Sequence, residues 1–433
     1  MYLNTIALHN FRCFEELNIH FNPRLSVIVG NNGSGKSTVL EAAAIAAGTL
    51  TAAMDGLTNY GIKKSDAHYK YFNIGSVIDV QPQFPVSIEA NGIIDNKSIS
   101  WTRILNSAKG RGSLSNAKEL TSIALEYQQR MRQGDSRLIL PVISYYGTGR
   151  LWNQHREKKN DTFEKNTRTN GYIDSLDGAA NDKLMIKWFQ KMTIQQYQRQ
   201  TPIPELNAVC HAMEQCFQAI TGYSDIKIQF NLDTNEIDVI YTDNIQQPVR
   251  IPLLQLSDGY KCTISLIADI AYRMAILNPQ LLDNVVSETP GIILIDEIDL
   301  HLHPSWQRRI LNDLTTIFPK VQFIVSTHAP AVISSIKSES LIILKDNEAI
   351  SASDETYGKD VNSIFREIME VSERPQQIKV MFDQFYTFLD ENRYEEASAI
   401  LNSLELELGS NDAELNSCRS IRSYNRTLVS EKS

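Results

Sequence analysis

Gly30-Asn31-Asn32-Gly33-Ser34-Gly35-Lys36-Ser37 follows the apolar run Leu25 to Val29 and opens the helix-prone run Thr38 to Ala47. The octapeptide fits the phosphate-loop pattern G-x-x-x-x-G-K-[ST], and a strand before it with a helix after it is the context that pattern requires. Glycines let backbone N–H groups turn inward toward phosphate oxygens, and the following helix points its positive end at the same place. In this pattern Lys36 reaches the β- and γ-phosphates, and the Ser37 hydroxyl helps hold Mg²⁺. Gly30, Asn31, Asn32, Gly33, Ser34, Gly35 and Thr38 complete the candidate nucleotide contacts, with ATP and Mg²⁺ as the expected cofactors. A flexible Gly/Ser turn is the bland alternative, and the flanking elements argue against it.

Outward from this loop, residues 2–9 alternate apolar and polar and read as a first strand, and Leu17 to Phe21 reads as a second. Residues 48–75 show no clear period. Strands are predicted at 77–80 and 85–94, with 97–105 as a hairpin partner. A helix is predicted over 118–132 and a β-rich apolar run over 138–146. Residues 151–181 are polar and aperiodic. Helices fit 182–199 and 204–221, and 223–249 reads as an antiparallel meander turning at Asp233-Thr234-Asn235. Then come a helix at 260–277, a strand at 291–295, a helix at 305–317, a strand at 321–326, a helix at 330–336 and a strand at 341–344. No segment sustains heptads, which excludes long coiled-coil arms.

The 433 residues can bury a sizeable core. The formal net charge of −9 argues against nucleic-acid binding by the surface as a whole. Five cysteines without metal-type spacing read as reduced thiols of a cytoplasmic protein. No apolar run approaches membrane-span length, and no membrane association is expected.

Gly291-Ile292-Ile293-Leu294-Ile295-Asp296-Glu297 is an apolar strand ending in two carboxylates. A buried parallel strand explains the run, and ligands sit at its carboxyl end. Asp296 is placed to bind Mg²⁺, and Glu297 to polarise an attacking water as general base.

Leu256-Ser257-Asp258-Gly259-Tyr260 resembles the ABC signature loop, and Asn10-Phe11-Arg12-Cys13-Phe14 resembles the start of RecF-, Rad50- and SMC-type ATPases. Asp296-Glu297-Ile298-Asp299-Leu300-His301-Leu302-His303-Pro304 resembles the Walker B and D-loop of that class, and Ser326-Thr327-His328-Ala329-Pro330 its switch-histidine strand end. The resemblance implies an α/β fold: an ABC-type P-loop ATPase head with a mixed central sheet, an antiparallel β-subdomain, a helical insertion and a C-terminal helical hairpin. It implies a homodimer or higher homo-oligomer in which Ser257, Asp258 and Gly259 of one copy cover the γ-phosphate held by another. His328 would contact the γ-phosphate, Asp299 would communicate across the dimer, and Arg12 would touch the nucleotide phosphates. Asp258 replaces the glycine usual in transporter signatures, and no glutamine stands at the Q-loop position near Tyr146 to Arg150. Slow hydrolysis fits these departures as well as fast turnover does. Arg12 also fits an ordinary surface arginine, Asp258 a helix N-cap. His301 and His303, two apart, do not share a helix face as a metal pair would.

Residues 150–168 hold six basic side chains, Arg150, Arg156, Lys158, Lys159, Lys165 and Arg168, against three acidic ones. Such a loop can track a nucleic-acid backbone, with Trp152 and Tyr172 nearby as stacking candidates; a solvated charged loop is equally ordinary. Helical stripes fit 376–389 and 394–408, and 412–423 adds a third. Eight acidic residues face one basic residue between Asp390 and Glu414. The domains read as an N-terminal lobe with the phosphate loop (1–105), a helical and loop insertion with a core strand near 138–146 (106–222), a C-terminal lobe with signature, Walker B and switch histidine (223–350), and an acidic helical partner-docking region (351–433). With Tyr357-Gly358-Lys359-Asp360-Val361-Asn362-Ser363-Ile364 and the helical pair, the chain resembles the ATPase subunit of Septu-type anti-phage defence systems and related retron-associated ATPases. That resemblance implies an HNH-type nuclease subunit as partner and no nuclease site in this chain. A RecF-like repair ATPase that binds DNA directly is the alternative.

Overall fold

Burial along the first strand follows the alternation of its sequence: Leu3, Ile6 and Leu8 are inside, with the residues between them half-exposed. The computed structural model describes residues 1–110, 112–151, 167–178, 182–243, 247–352, 355–369, 372, 374–409 and 411–432. The chain opens with β1 (Tyr2–Phe11), β2 (Phe14–His20) and β3 (Leu25–Gly30), followed by helix α1 (Lys36–Ala47). Next come β4 (Tyr69–Ile74), β5 (Val77–Pro82), β6 (Val86–Ile94), β7 (Lys97–Leu105), α2 (Lys118–Arg132) and β8 (Val142–Tyr146). The middle supplies α3 (Asp182–Arg199), α4 (Pro204–Thr221), β9 (Ser224–Asn231), β10 (Glu236–Thr242) and β11 (Pro248–Pro252). The later part of the head runs α5 (Asp258–Leu277), α6 (Val285–Glu288), β12 (Gly291–Ile295), α7 (Pro304–Gln307), α8 (Ile310–Ile317), β13 (Val321–Ser326), α9 (Pro330–Ile333), β14 (Leu341–Lys345) and β15 (Glu348–Ser351).

Two principal sheets sandwich α1. One is antiparallel in the order β2-β1-β6-β7; the other is mixed, in the order β15-β14-β3-β13-β12-β8, with only β15 antiparallel to its neighbour. α1 packs against strands of both, so the run from Ala42 to Ala47 is buried on all sides rather than along one stripe. β12 and β13 are buried at every position, as strands covered on both faces must be. The predicted meander forms the three-stranded sheet β11-β10-β9. The helix expected over 305–317 is two pieces, α7 and α8, and the segment with no clear period contains β4.

The chain divides into two units, Met1–Lys359 and Asp360–Ser433, rather than at 350/351. The reason lies in residues beyond β14. β15 pairs back onto β14, the Thr356 hydroxyl donates to the Ile336 carbonyl at 2.7 Å, and the Gly358 N–H to Ser334 at 2.9 Å. The second unit holds α10 (Val361–Glu367), α11 (Gln376–Asp390), α12 (Tyr394–Leu408) and α13 (Ala413–Lys432). Its core joins Phe382, Phe385 and Leu389 to Ala397, Leu401 and Leu404, closed by Leu415 and Cys418. The third helix supplies the apolar cover that a lone helical pair lacks.

Candidate nucleotide-binding site

Within the mixed sheet β3 lies between β14 and β13, and β12 between β13 and β8, all five parallel. The residues that follow these strands therefore emerge on one edge, where ligands of such sheets bind. The phosphate loop follows β3, Asp296 and Glu297 follow β12, and Thr327 and His328 follow β13.

Lys36 is 6% exposed, and its ammonium donates to the carbonyls of Gly30 at 2.9 Å and Asn31 at 3.0 Å. The loop is thus fastened across its own mouth by the side chain expected to meet phosphate. Gly35 sits at φ +94°, and a Cβ there would meet Phe14 Cζ at 2.4 Å and Cys13 Sγ at 2.9 Å, so only glycine fits. Asn31, Asn32, Gly33 and Ser37 are exposed, while Ser34 Oγ is buried without a hydrogen-bond partner. An orphaned hydroxyl inside a phosphate loop is a group that an oxygen-rich ligand would satisfy.

The Asp296 carboxylate is 3% exposed and accepts from the Ser326 hydroxyl, which in turn accepts from the Glu297 N–H at 2.8 Å. Thr327 Oγ1 donates to Asp299 at 2.6 Å and accepts from the Ala329 N–H at 3.0 Å. The Asp296 N–H donates to the Tyr146 carbonyl at 2.8 Å, which ties the acidic end to β8. Glu297 adopts φ +47°, a left-handed conformation that is strained for any residue but glycine. Burial lowers the Lys36 pKa, opposed by the charges of Asp296, Glu297 and Asp299. Burial, and then Lys36, hold the His328 imidazole below its ordinary value against the same three carboxylates. One cation, three carboxylates and one imidazole therefore share a single electrostatic environment. Among the described residues no three His, Cys, Asp or Glu side chains form a metal cage.

Compared with known proteins, residues 5–246 match a family described as "AAA domain", and a second AAA-domain family matches residues 214–334. This chain belongs to the AAA-domain family. Over 424 residues it is 26% identical to "Retron Vc95 probable ATPase" of Vibrio cholerae serotype O1 biovar El Tor, covering 86% of this chain and 80% of the relative. It is 26% identical to "Retron Ec83 probable ATPase" of Escherichia coli, covering 86% of this chain and 77% of the relative. It is also 26% identical to "Septu protein PtuA" of Bacillus mycoides (strain KBAB4), covering 80% of this chain but 41% of that protein. The AAA-domain chain is thus similar to two retron proteins named as probable ATPases and to a Septu protein.

Other candidate residues of this AAA-domain chain lie in different surroundings. Ser257 is exposed and, with extended backbone angles, stands at the N-cap position of α5 without a side-chain cap hydrogen bond; Asp258 is therefore the first helical residue, and its carboxylate pairs with Lys261 at 2.9 Å. Gly259 is buried, with the position of a Cβ 2.8 Å from the His301 carbonyl, and the Tyr260 ring packs tilted against Trp306 with centroids 4.5 Å apart. Arg12 is no free surface arginine. Its guanidinium binds Glu41 at 2.6 Å and Asp66 at 2.9 Å, and these carboxylates hold its pKa up against burial. Sequence reasoning missed both partners, although Glu41 is the only charged residue in the run Thr38 to Ala47. The basic loop falls mostly outside the described residues. Arg168, within them, is bound to the backbone carbonyls of Leu277 and Leu138, each at 2.6 Å, and so is spent internally. Tyr172 is 5% exposed with its hydroxyl on the Pro141 carbonyl at 2.7 Å, which removes it as a stacking platform. Among the described residues no helix is long and apolar enough to cross a membrane.

Proposed function

We propose that this chain binds and hydrolyses Mg-ATP and acts as the regulatory ATPase of an anti-phage defence complex, controlling or positioning an HNH-type nuclease subunit on nucleic acid. The observation that carries the reading is the gathering of Lys36, Asp296, Glu297, Asp299 and His328 at one edge of the parallel sheet, in one electrostatic environment. Gly30 to Thr38 cradle the phosphates, and Lys36 exchanges its two carbonyl acceptors for phosphate oxygens. Ser37 and Asp296 are the residues that would hold Mg²⁺, which supplies charge neutralisation at the phosphates. Glu297 takes the proton of the attacking water, and His328, kept neutral, donates to the γ-phosphate. Arg12 would reach the nucleotide from its pairs with Glu41 and Asp66.

A dimeric site is supported by the exposure of Ser257 and Asp258 at the positive end of a 20-residue helix. The charges that act on Asp258 are those of Lys261 and His301, whereas Asp296, Glu297 and Asp299 act on Lys36. A second copy would bring the two groups together. The nuclease partner is supported by similarity to retron and Septu ATPases, and the helical unit Asp360–Ser433 is the segment proposed to dock it.

The test is DNA cleavage by the chain purified with the product of its neighbouring gene, across a range of ATP concentrations. Cleavage that responds to ATP, fails with Lys36→Ala and is absent without the neighbour supports the proposal. Cleavage by this chain alone refutes the assignment of the nuclease to a partner. ATP-dependent DNA binding without cleavage moves the reading to direct repair-type DNA binding.

A further inference from the structure

The inward face of β7 reads Ile99, Trp101, Arg103, Leu105, all buried, and Trp101 fastens it to α1 by donating to the Ala46 carbonyl at 3.0 Å. A guanidinium in that apolar row is out of place, since buried charges in proteins are paired. A second fully buried arginine obeys the rule: Arg273 binds Asp269 at 2.7 Å and the carbonyls of Gly171 and Ile173. Arg103 is 1% exposed, and its one acceptor is the neutral Asn59 amide oxygen, 3.1 Å from Nη2. Its Nε and Nη1 are buried without a partner. Burial alone, with no carboxylate acting on it, brings the pKa down to about 10, so the group keeps its charge at neutral pH.

Two irregular segments cover this guanidinium. Asn59 and Gly61 reach it from one, and a Cβ at Gly61 would stand 2.5 Å from Nη2, so the guanidinium leaves no room for a side chain there. Gly112 lies over it from the other, which the Ser113 N–H ties to the Ile104 carbonyl at 3.0 Å. Between Leu57 and Ser65 and between Leu105 and Lys118 the sequence holds Lys63, Lys64, Lys109, Arg111 and Lys118 and no acidic residue, on a chain of net charge −9.

We propose that Arg103 and its two covering segments form a binding site for a phosphate oxyanion, taken as free phosphate or as the phosphate group of a small nucleotide. The planar guanidinium is built to meet two oxygens of such an anion, and the N–H groups of Nε and Nη1 are unused. A phosphate, with up to two negative charges at neutral pH, suits these basic segments better than a singly charged carboxylate does. The burial of Arg103 favours a small anion over a nucleic-acid backbone, which cannot follow it beneath the segments. The exposed Asn59 marks the point of entry, where the anion takes the place of the amide at Nη2. None of these residues belongs to the phosphate loop, and the proposal does not rest on the ATPase reading.

Calorimetric titration of inorganic phosphate into the full chain carrying Lys36→Ala, which removes the ammonium of the phosphate loop, tests the proposal. The expected result is one phosphate per chain, bound at least about 10-fold more weakly once Arg103→Met is added, as for loss of a charged hydrogen bond. Asn59→Asp supplies the missing counter-charge from the position of the amide. It is expected to abolish phosphate binding and to raise the urea midpoint of unfolding, and a midpoint that falls overturns the proposal. Competition by AMP assigns the oxyanion to a nucleotide, and its absence assigns it to free phosphate; either outcome supports the site. No phosphate bound at millimolar concentration, or binding unchanged by Arg103→Met, overturns it. If Arg103→Met fails to fold by circular dichroism, Asn59→Asp decides, and undiminished binding in that variant overturns the proposal.

Discussion

Replacing Glu297 by glutamine and by glycine separates its chemistry from its backbone strain. The side chain is the proposed general base, while the backbone sits at φ +47° with its N–H on Ser326 at 2.8 Å. Glutamine keeps the shape and the strain and removes the base. General-base catalysis contributes about 10²–10⁴ in rate, so hydrolysis should slow at least about 100-fold, a barrier increase of roughly 3 kcal/mol. ATP affinity should change little, because Lys36 and the loop are untouched. Glycine also removes the base but relieves a left-handed conformation that costs an ordinary residue roughly 1–2 kcal/mol. Against this stands the extra freedom of the unfolded chain, about 0.4–1 kcal/mol. The net expectation is a protein as stable as the parent or up to about 1.5 kcal/mol more stable, where an average substitution destabilises by about 1. Single-turnover ATP hydrolysis and urea unfolding measure the two effects. Unchanged hydrolysis in Glu297→Gln removes the residue from the base role. A glycine variant less stable by more than about 1 kcal/mol refutes the strain argument.

Lys36→Ala should weaken ATP binding about 10- to 150-fold, the range for loss of a charged hydrogen bond of roughly 1.5–3 kcal/mol; an unchanged Kd by calorimetry would show that the ammonium stays on the Gly30 and Asn31 carbonyls. His328 should titrate below its ordinary 6.5 by NMR. Its contribution to stability is therefore fully present above 6.5 and lost as pH falls toward the folded value, where the unfolded chain already binds the proton; a midpoint at or above 6.5 refutes the burial argument. Removing 360–433 should leave ATP affinity of the Met1–Lys359 unit within a few-fold of the parent and abolish co-purification of the proposed nuclease subunit; a head that no longer folds makes the second unit structural.

The phosphate loop and the acidic strand end were legible because each is a local pattern with a local physical cause. The parallel strands were legible for the same reason: Gly291–Ile295 and Val321–Ser326 are apolar throughout, as strands buried on both faces are. What stayed hidden depends on distant partners. Arg12 is defined by Glu41 and Asp66, and Asp296 by Ser326, pairings 29 to 54 residues apart in the chain that no periodicity announces. β4 was missed because its apolar residues occupy both faces, so the period-2 signal of a half-buried strand is absent. In the sequence Asp258 fits a cap as well as a functional residue, and only the backbone angles of Ser257 put the cap one position earlier. Arg168 and Tyr172 looked like surface chemistry because sequence gives charge and ring but not the carbonyls that consume them.

Hydroxyl-to-carboxylate bonds join the ends of β12 and β13 into one block. Ser326 bridges Asp296 and the Glu297 N–H, and Thr327 holds Asp299, so His328 cannot shift without moving the acidic end with it. The same block continues through the turn in which the Leu302 N–H donates to Asp299 at 3.0 Å, and the His301 carbonyl in that turn abuts Gly259. Gly259 is the second residue of α5, next to the exposed Ser257 and Asp258. A close-packed contact of this kind transmits displacement rather than absorbing it. On the proposed assignment, the groups that sense the γ-phosphate and the helix end that faces a second copy are therefore mechanically continuous within one chain. The slow or fast character of hydrolysis then follows from how far this block must move, not from the strength of the base alone.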